Sequence, residues 1–408
     1  MSADLTYLLL IFALFVVPRG LQRLRIPTAV TSLGMGVALG LGFGLFAEDP
    51  TVHLLSTLGI VSLFLFAGLD VDVTALRRDL GVLAQHVGVR VVLLAVATAA
   101  VRAGLGLEVR PALVLALALV TPSTGFILDS LHTFGLDAGE RTWVRSKAIA
   151  TEIVALVVLF VVLQSASAPR LAVGVLALAA LIGGLPVLFR LFNRLIAPFA
   201  PRSEFAFLLM TAMLAAFATK KLGAYYLVGA FVVGMVAQRL RREAPALVNE
   251  KMLGALEFFA SFFVPFYFFA AGLDVSAEAL TPRAALWGLV FLVAAVPAQL
   301  GTVVLHRWLA LREPPRQALR VAISLSPTLV FTLVLGGILS AQYGLAPELR
   351  GGLMLYAVGT TLMPALFLRA QPEIGVPGTP AEPFAPVAAG QPGGQVVEPS
   401  RGGPGATG

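Results

Sequence analysis

Residues 121 to 131 read TPSTGFILDSL, and they interrupt an apolar run that begins near residue 111. Thr121, Pro122, Ser123, Thr124 and Gly125 place a proline, a glycine and three hydroxyls inside a segment apolar enough for a bilayer. Proline deletes an amide donor and crowds the preceding turn, while glycine tolerates an opened backbone. In hydrocarbon the freed carbonyls need partners, so such a break persists only when protein shields it or when it lines a polar cavity. The stretch therefore predicts a discontinuous membrane helix if the chain around it is a membrane protein.

Composition supplies that condition. Of the 408 residues 58% are hydrophobic and only 12% are charged, against about 25% charged in a soluble domain. A large soluble core is excluded, because too few charges exist to cover its surface. Apolar runs recur from end to end, each about as long as a bilayer is thick. They predict an all-α polytopic membrane protein with thirteen spans, near 4–18, 27–47, 54–69, 82–101, 111–131, 146–165, 171–189, 204–219, 223–238, 254–273, 284–306, 318–341 and 351–368. The first run follows Asp4 and no Lys or Arg, so it is expected to be a retained span rather than a signal peptide. Residues 1–370 are expected to form one transmembrane domain, and the Pro-, Gly- and Ala-rich residues 371–408 a disordered cytoplasmic tail. The chain has no cysteine, which excludes disulfides and thiolate metal sites. A net charge of +7 needs no nucleic acid to explain it, since cytoplasmic loops are basic.

That bias also sets orientation. Odd-numbered connections and the start of the tail hold twenty Lys and Arg, from Arg19, Arg23 and Arg25 through Arg77, Arg78, Arg202 and Arg242 to Arg369; the even ones hold seven. The positive-inside rule then puts the N-terminus outside and the C-terminus in the cytoplasm.

Residues 66–71 read FAGLDV and residues 270–275 read AAGLDV, an offset of 204. Shifted by that amount, spans three to six fall on spans ten to thirteen, and Pro122 falls beside Pro327. Six spans, one linking helix near 171–189 and six more make inverted repeats over about 4–165 and 204–368, an architecture common in secondary transporters. Span twelve carries SLSPT, Ser324 to Thr328, where span five carries TPSTG. Matching mid-membrane breaks are the best pointer to a substrate site. Their opened carbonyls and the hydroxyls of Thr121, Ser123, Thr124, Ser326 and Thr328 offer hard oxygens to a small cation. The plain alternative is two proline kinks with Ser and Thr bonded back to their own helices.

Glu152 lies in span six among Ile149, Ala150, Ile153, Val154 and Ala155, one or two turns inside the cytoplasmic end. A carboxylate in that setting is costly when ionised and unpaired, so it marks a functional site by default. Arg90 in span four is a candidate partner, and a structural ion pair is the competing reading. Asp70 and Asp274 each follow Gly-Leu and read as caps of the adjoining turn. Asp129 and His132 are placed at an entry funnel or at a plain surface.

FLFAGLDVD, KLGAYYLVGAFVVGMV, PFYFFAAGLDV and SLSPTLVFTLVL, in this order and spacing, resemble the monovalent cation:proton antiporter family of bacterial sodium/proton exchangers and potassium efflux proteins. The resemblance spans most of residues 4–370. It implies a homodimer in a bacterial inner membrane, two crossed discontinuous helices in a core part, and alternating access against a dimerisation part. It implies an ion-binding carboxylate on the helix after the first broken one, which maps onto Glu152 preceded by Thr151. Two departures stand out: PAQLG has Ala298 near the family's Lys, and Thr328 to Phe331 replace its Arg and Glu. No nucleotide-binding regulatory domain and no cofactor are expected. An antiporter of sodium or potassium for protons leads; a carrier of a small organic anion on the same scaffold is the alternative, and a channel comes third. With no nucleophile–base set and no metal cluster in view, an enzyme is not expected.

Overall fold

The apolar runs fold into helices in the computed structural model, which describes residues 3–46, 48–71, 80–165, 167–200, 203–223, 226–241 and 250–368. The expected tail over 371–408 lies outside these residues, as do Arg77, Arg78, Arg202, Arg242 and Arg369 of the charge pattern. Fifteen α-helices occur among the described residues. They are α1 (Ala3–Gln22), α2 (Thr28–Phe43), α3 (Pro50–Leu69), α4 (Leu80–Leu105), α5 (Val109–Val120), α6 (Thr124–Ser130), α7 (Ala138–Gln164) and α8 (Ala168–Leu195). The rest are α9 (Glu204–Lys221), α10 (Tyr226–Arg239), α11 (Glu250–Leu273), α12 (Pro282–Leu311), α13 (Pro315–Ser324), α14 (Leu329–Tyr343) and α15 (Pro347–Phe367).

Among the described residues, eight helical stretches are long and apolar enough to cross a membrane, or nine if the bent pair α13–α14 counts as one. That makes the chain an integral, all-α polytopic membrane protein. Several helices outrun the apolar segments they contain. The clearest is α7, which begins at Ala138 and not near 146. Its first turns, GERTWVRS, are polar, and a capping box fixes the start: Asp137 accepts from the Glu140 amide at 2.8 Å and Glu140 accepts from the Asp137 amide at 3.0 Å. Glu152 consequently lies about 21 Å along a helix about 40 Å long. It sits near the middle of α7, under two turns inside the apolar part that begins near residue 146.

Close helix packing surrounds α3 and α11. α3 packs on α10 and α11, and α11 packs on α2. Glycines make this approach possible. Gly36 of α2 and Gly272 of α11 face each other, each against the other helix's backbone; Gly68 of α3 and Gly234 of α10 do the same. The glycines of FAGLDV and AAGLDV thus meet glycines of the opposite half of the chain. Where α3 crosses α11, Gly59 rests on the backbone of Phe263, a pair 204 residues apart. Asp70 follows the last turn of α3 within electrostatic reach of Arg145, and Asp274 follows α11 within reach of Arg350.

A second group holds the breaks. α12 packs on α15 and α13, α14 packs on α15 and α5, and α4 packs on α5 and α12. α8 touches α7 and α10.

Candidate functional site

Residues between α5 and α6 are extended at Thr121 (ψ 121°) and Ser123 (ψ 92°), so the proline and the hydroxyls do open the helix there. The second opening runs from Leu325 to Thr328, with a 52° bend between α13 and α14. The openings touch. The Ser123 amide donates to the Pro327 carbonyl at 2.8 Å, and the Phe331 amide donates to Ser123 Oγ at 3.1 Å.

A small cavity borders the first turns of both α6 and α14. Ser123, Thr124, Gly125, Glu152, Val330 and Phe331 line it together with Leu63, Phe64 and Ala67 of α3. Its volume is about 10 Å³, room for about one water-sized occupant. Glu152 is 2% exposed and faces the amide and hydroxyl of Thr124. Its Oε2 is buried without a hydrogen-bond partner, as is Thr124 Oγ1. Helix N-termini carry partial positive charge, so the two half-helix starts can hold a carboxylate without a basic side chain.

Two carbonyls at the end of α5 already have partners within the protein. Ala118 accepts from Thr332 Oγ1 at 2.7 Å. Leu119 accepts from Gln299 Nε2 and from the Tyr356 hydroxyl. Buried carbonyls demand partners, and three side chains from α12, α14 and α15 satisfy these two.

The predicted hydroxyls divide into two sets. Ser123 and Thr124 reach the cavity beside Glu152. Ser326 and Thr328 turn to α15 instead: Ser326 Oγ donates to Ile323 and Thr360 carbonyls at 2.7 and 3.2 Å, and Thr328 shares a 3.0 Å bond with the Thr360 hydroxyl. Thr121 is buried but does not line the cavity. Thr151 points toward α4; its hydroxyl donates to the Lys147 carbonyl at 2.8 Å and lies 3.3 Å from His86 Nε2. Pro122 and Pro327 are buried in the two breaks, and Gly125 lets α6 approach Leu63 of α3. Asp129 and His132 are exposed and do not line the cavity.

Arg90 is not the partner of Glu152. It is buried on α4 with Nε and Nη1 lacking hydrogen bonds, and the groups within its electrostatic reach are His86 and Tyr356. Gln299 and Tyr356 were missed at the sequence level. Gln299 adjoins Ala298, the position at which a Lys is sought; the repeat offset of 204 carries Glu152 onto Tyr356. Since Gln299 also donates to the Tyr356 oxygen at 2.6 Å, the three atoms form one knot. Tyr356→Phe alone leaves Leu119 with one donor. Adding Gln299→Leu removes the last one, and the double variant should lose about 1–3 kcal/mol beyond the single one, measurable by thermal unfolding in detergent.

The model of the sodium/hydrogen exchanger transmembrane family matches residues 9–369, and the chain belongs to that family. It is a carrier rather than an enzyme, of the cation/proton antiport type, with a monovalent cation and the proton as its transported partners. Two solved structures share the fold, both of the sodium proton antiporter MjNhaP1 from Methanocaldococcus jannaschii. The pH 8 structure gives a TM-score of 0.67 at 13% identity over 89% of this chain and 95% of that one. An electron-microscopy structure gives 0.62 at 14% identity over 90% and 95%. Identity this low speaks for the fold alone. No curated protein sequence matches the chain.

Proposed function

We propose that the chain exchanges sodium or potassium for protons by alternating access, with Glu152 binding either the cation or the proton. The observation that carries this reading is Glu152 itself, a buried carboxylate with an unpartnered oxygen beside a cavity bounded by both helix breaks. A cation there meets one carboxylate and the Thr124 and Ser123 hydroxyls; a proton meets the same carboxylate. Ions that exclude each other from one site are exchanged without a second buried acid. The organic-anion reading fares worse, because the Thr124 amide faces Glu152 and the Phe331 amide donates to Ser123 Oγ, so neither is open to an anion. Flux of sodium, potassium and lithium against a pH gradient in proteoliposomes tests the reading. Absence of cation-driven proton movement for all three would sink it.

The same proposal includes thirteen spans, α5 with α6 and α13 with α14 each forming one crossed, discontinuous span. It also includes inverted repeats over about 4–165 and 204–368, supported by the mirrored glycine pairs and by Asp70–Arg145 recurring as Asp274–Arg350. Short helices such as α2 and α10 are consistent with spans because they pack along α11 and α3. We place the protein in a bacterial inner membrane as a homodimer, N-terminus outside. The chain has no cysteine, so single introduced cysteines report sidedness cleanly. Asp4→Cys and Glu278→Cys should react with an impermeant maleimide from outside, and Arg316→Cys only from the cytoplasm; a cytoplasmic Asp4→Cys would overturn the orientation.

A further inference from the structure

A second cavity, of about 320 Å³, lies where α7, α8 and α9 meet. Phe160, Gly174, Ala177, Ala218 and Leu222 are among its lining residues. The one polar side chain of the wall among the described residues, Thr219, spends its hydroxyl on the Ala215 and Ala216 carbonyls at 3.0 Å each. The interior is therefore apolar, and its volume falls at the lower end of ligand pockets. Ala180, Ala218 and Leu222 of the wall are exposed, so the cavity opens at the protein surface, along the flank of the apolar helix α8.

One end is polar. Gln164 Nε2 donates to the Leu222 carbonyl at 3.0 Å, and the Gln164 side chain lies against Gly174. Gln164 is fully buried, and its Oε1 has no hydrogen-bond partner. The Arg170 guanidinium rests on Gly223, one residue beyond Leu222, and Lys220 and Lys221 form the last turn of α9. The segments framing this end, 164–175 and 214–226, contain those three basic residues and no Asp or Glu. An apolar chamber open to lipid, with cations and an orphaned acceptor at one end, matches a molecule with a hydrocarbon tail, a negative charge and a hydroxyl.

We propose that this cavity holds one acyl chain of an anionic phospholipid whose phosphate sits on Arg170 and Lys221 and whose headgroup hydroxyl donates to Gln164 Oε1. The tail replaces a void that would otherwise forfeit dispersion contacts. The charge pairing and the hydroxyl select the headgroup. The occupant bridges α7, the helix of Glu152, to α9.

Thermal unfolding of the full chain in nonionic detergent tests the proposal, with phosphatidylglycerol, phosphatidylcholine of the same chains, or inorganic phosphate added. Phosphatidylglycerol at about a hundredfold excess over its Kd should raise Tm by about 3–5 °C, with little effect from the other two. Ala177→Leu, which fills the chamber, should abolish the gain while leaving Tm in detergent alone unchanged. Arg170→Gln with Lys221→Gln should reduce the gain to the phosphatidylcholine level, and this pair carries the test if Ala177→Leu fails to fold. An equal gain from phosphatidylcholine would overturn the headgroup assignment, and an equal gain from inorganic phosphate would overturn the acyl chain. A full phosphatidylglycerol gain in both variants would place the lipid elsewhere and end the proposal.

Discussion

Proteoliposomes carrying Glu152→Gln should move cations and protons no faster than liposomes without protein, while the variant purifies like the wild type. The two halves of this expectation have separate physical causes. Glutamine keeps the size of the side chain but cannot release a proton or present a full negative charge, so on the proposed shared-site reading neither ion would have its ligand. Folding survives because Glu152 holds no salt bridge among the described residues that the change would break, and a neutral amide in hydrocarbon is less costly than an unpaired carboxylate. Glu152→Asp provides the complementary arm. It retains the charge and should retain coupled exchange, with an altered cation affinity because the carboxylate withdraws from the cavity by one methylene. Coupled exchange at wild-type rate in Glu152→Gln would mean that another group carries the proton, and the shared-site reading would fall.

The second large effect concerns assembly rather than transport. Gly36→Leu or Gly68→Leu should prevent accumulation of folded protein, because the new side chain meets backbone of the neighbouring helix and not a side chain that can turn away. The obstacle at Gly36 is the Phe269 peptide of α11, and at Gly68 the Phe231 peptide of α10. Overpacking typically costs about 1–3 kcal/mol and occasionally more, and an obstacle that cannot rotate leaves no cheap way out. Gly34→Leu is the internal control. Gly34 lies on the same helix as Gly36, and an added Cβ there meets nothing within 4 Å. Size-exclusion profiles should show the Gly34 variant monodisperse and the other two aggregated or absent. Similar profiles for all three would show that the helices are not held at the spacing described.

How much of this was legible beforehand varied with the kind of signal. Hydropathy located the apolar segments well, and proline with glycine located the break at 121–125, because both report local chemistry. It placed the start of α7 some eight residues late, since it registers where apolar residues begin and not where the helix does. The Asp137–Glu140 box that sets that start was present in the sequence as a spacing of three. Glu152 was conspicuous as an acid among aliphatic residues. Gln299 and Tyr356 were not, because a neutral polar residue in an apolar helix has many routine uses. Their role emerges only when α12 and α15 converge on the Leu119 carbonyl. Ser326 and Thr328 illustrate the reverse: they resemble Ser123 and Thr124 in sequence, yet Thr360 of α15 draws them away from the cavity. Direction of a side chain is set by the neighbour, and the neighbour is remote in the chain.

The bonds between the two openings have a mechanical consequence. Ser123 is tied to Pro327 and Phe331, and Ala118 to Thr332, so the four half-helices are stitched at their inner ends into one rigid node. Such a node transmits displacement without absorbing it. In the proposed alternating access, motion that exposes Glu152 first to one side and then to the other would be taken up at the perimeter of the node. On that perimeter Gly125 offers Leu63 of α3 a surface with no side chain of its own. The contact there resembles a bearing more than a hinge: two smooth faces that can slide past each other while the machinery on either side keeps its shape.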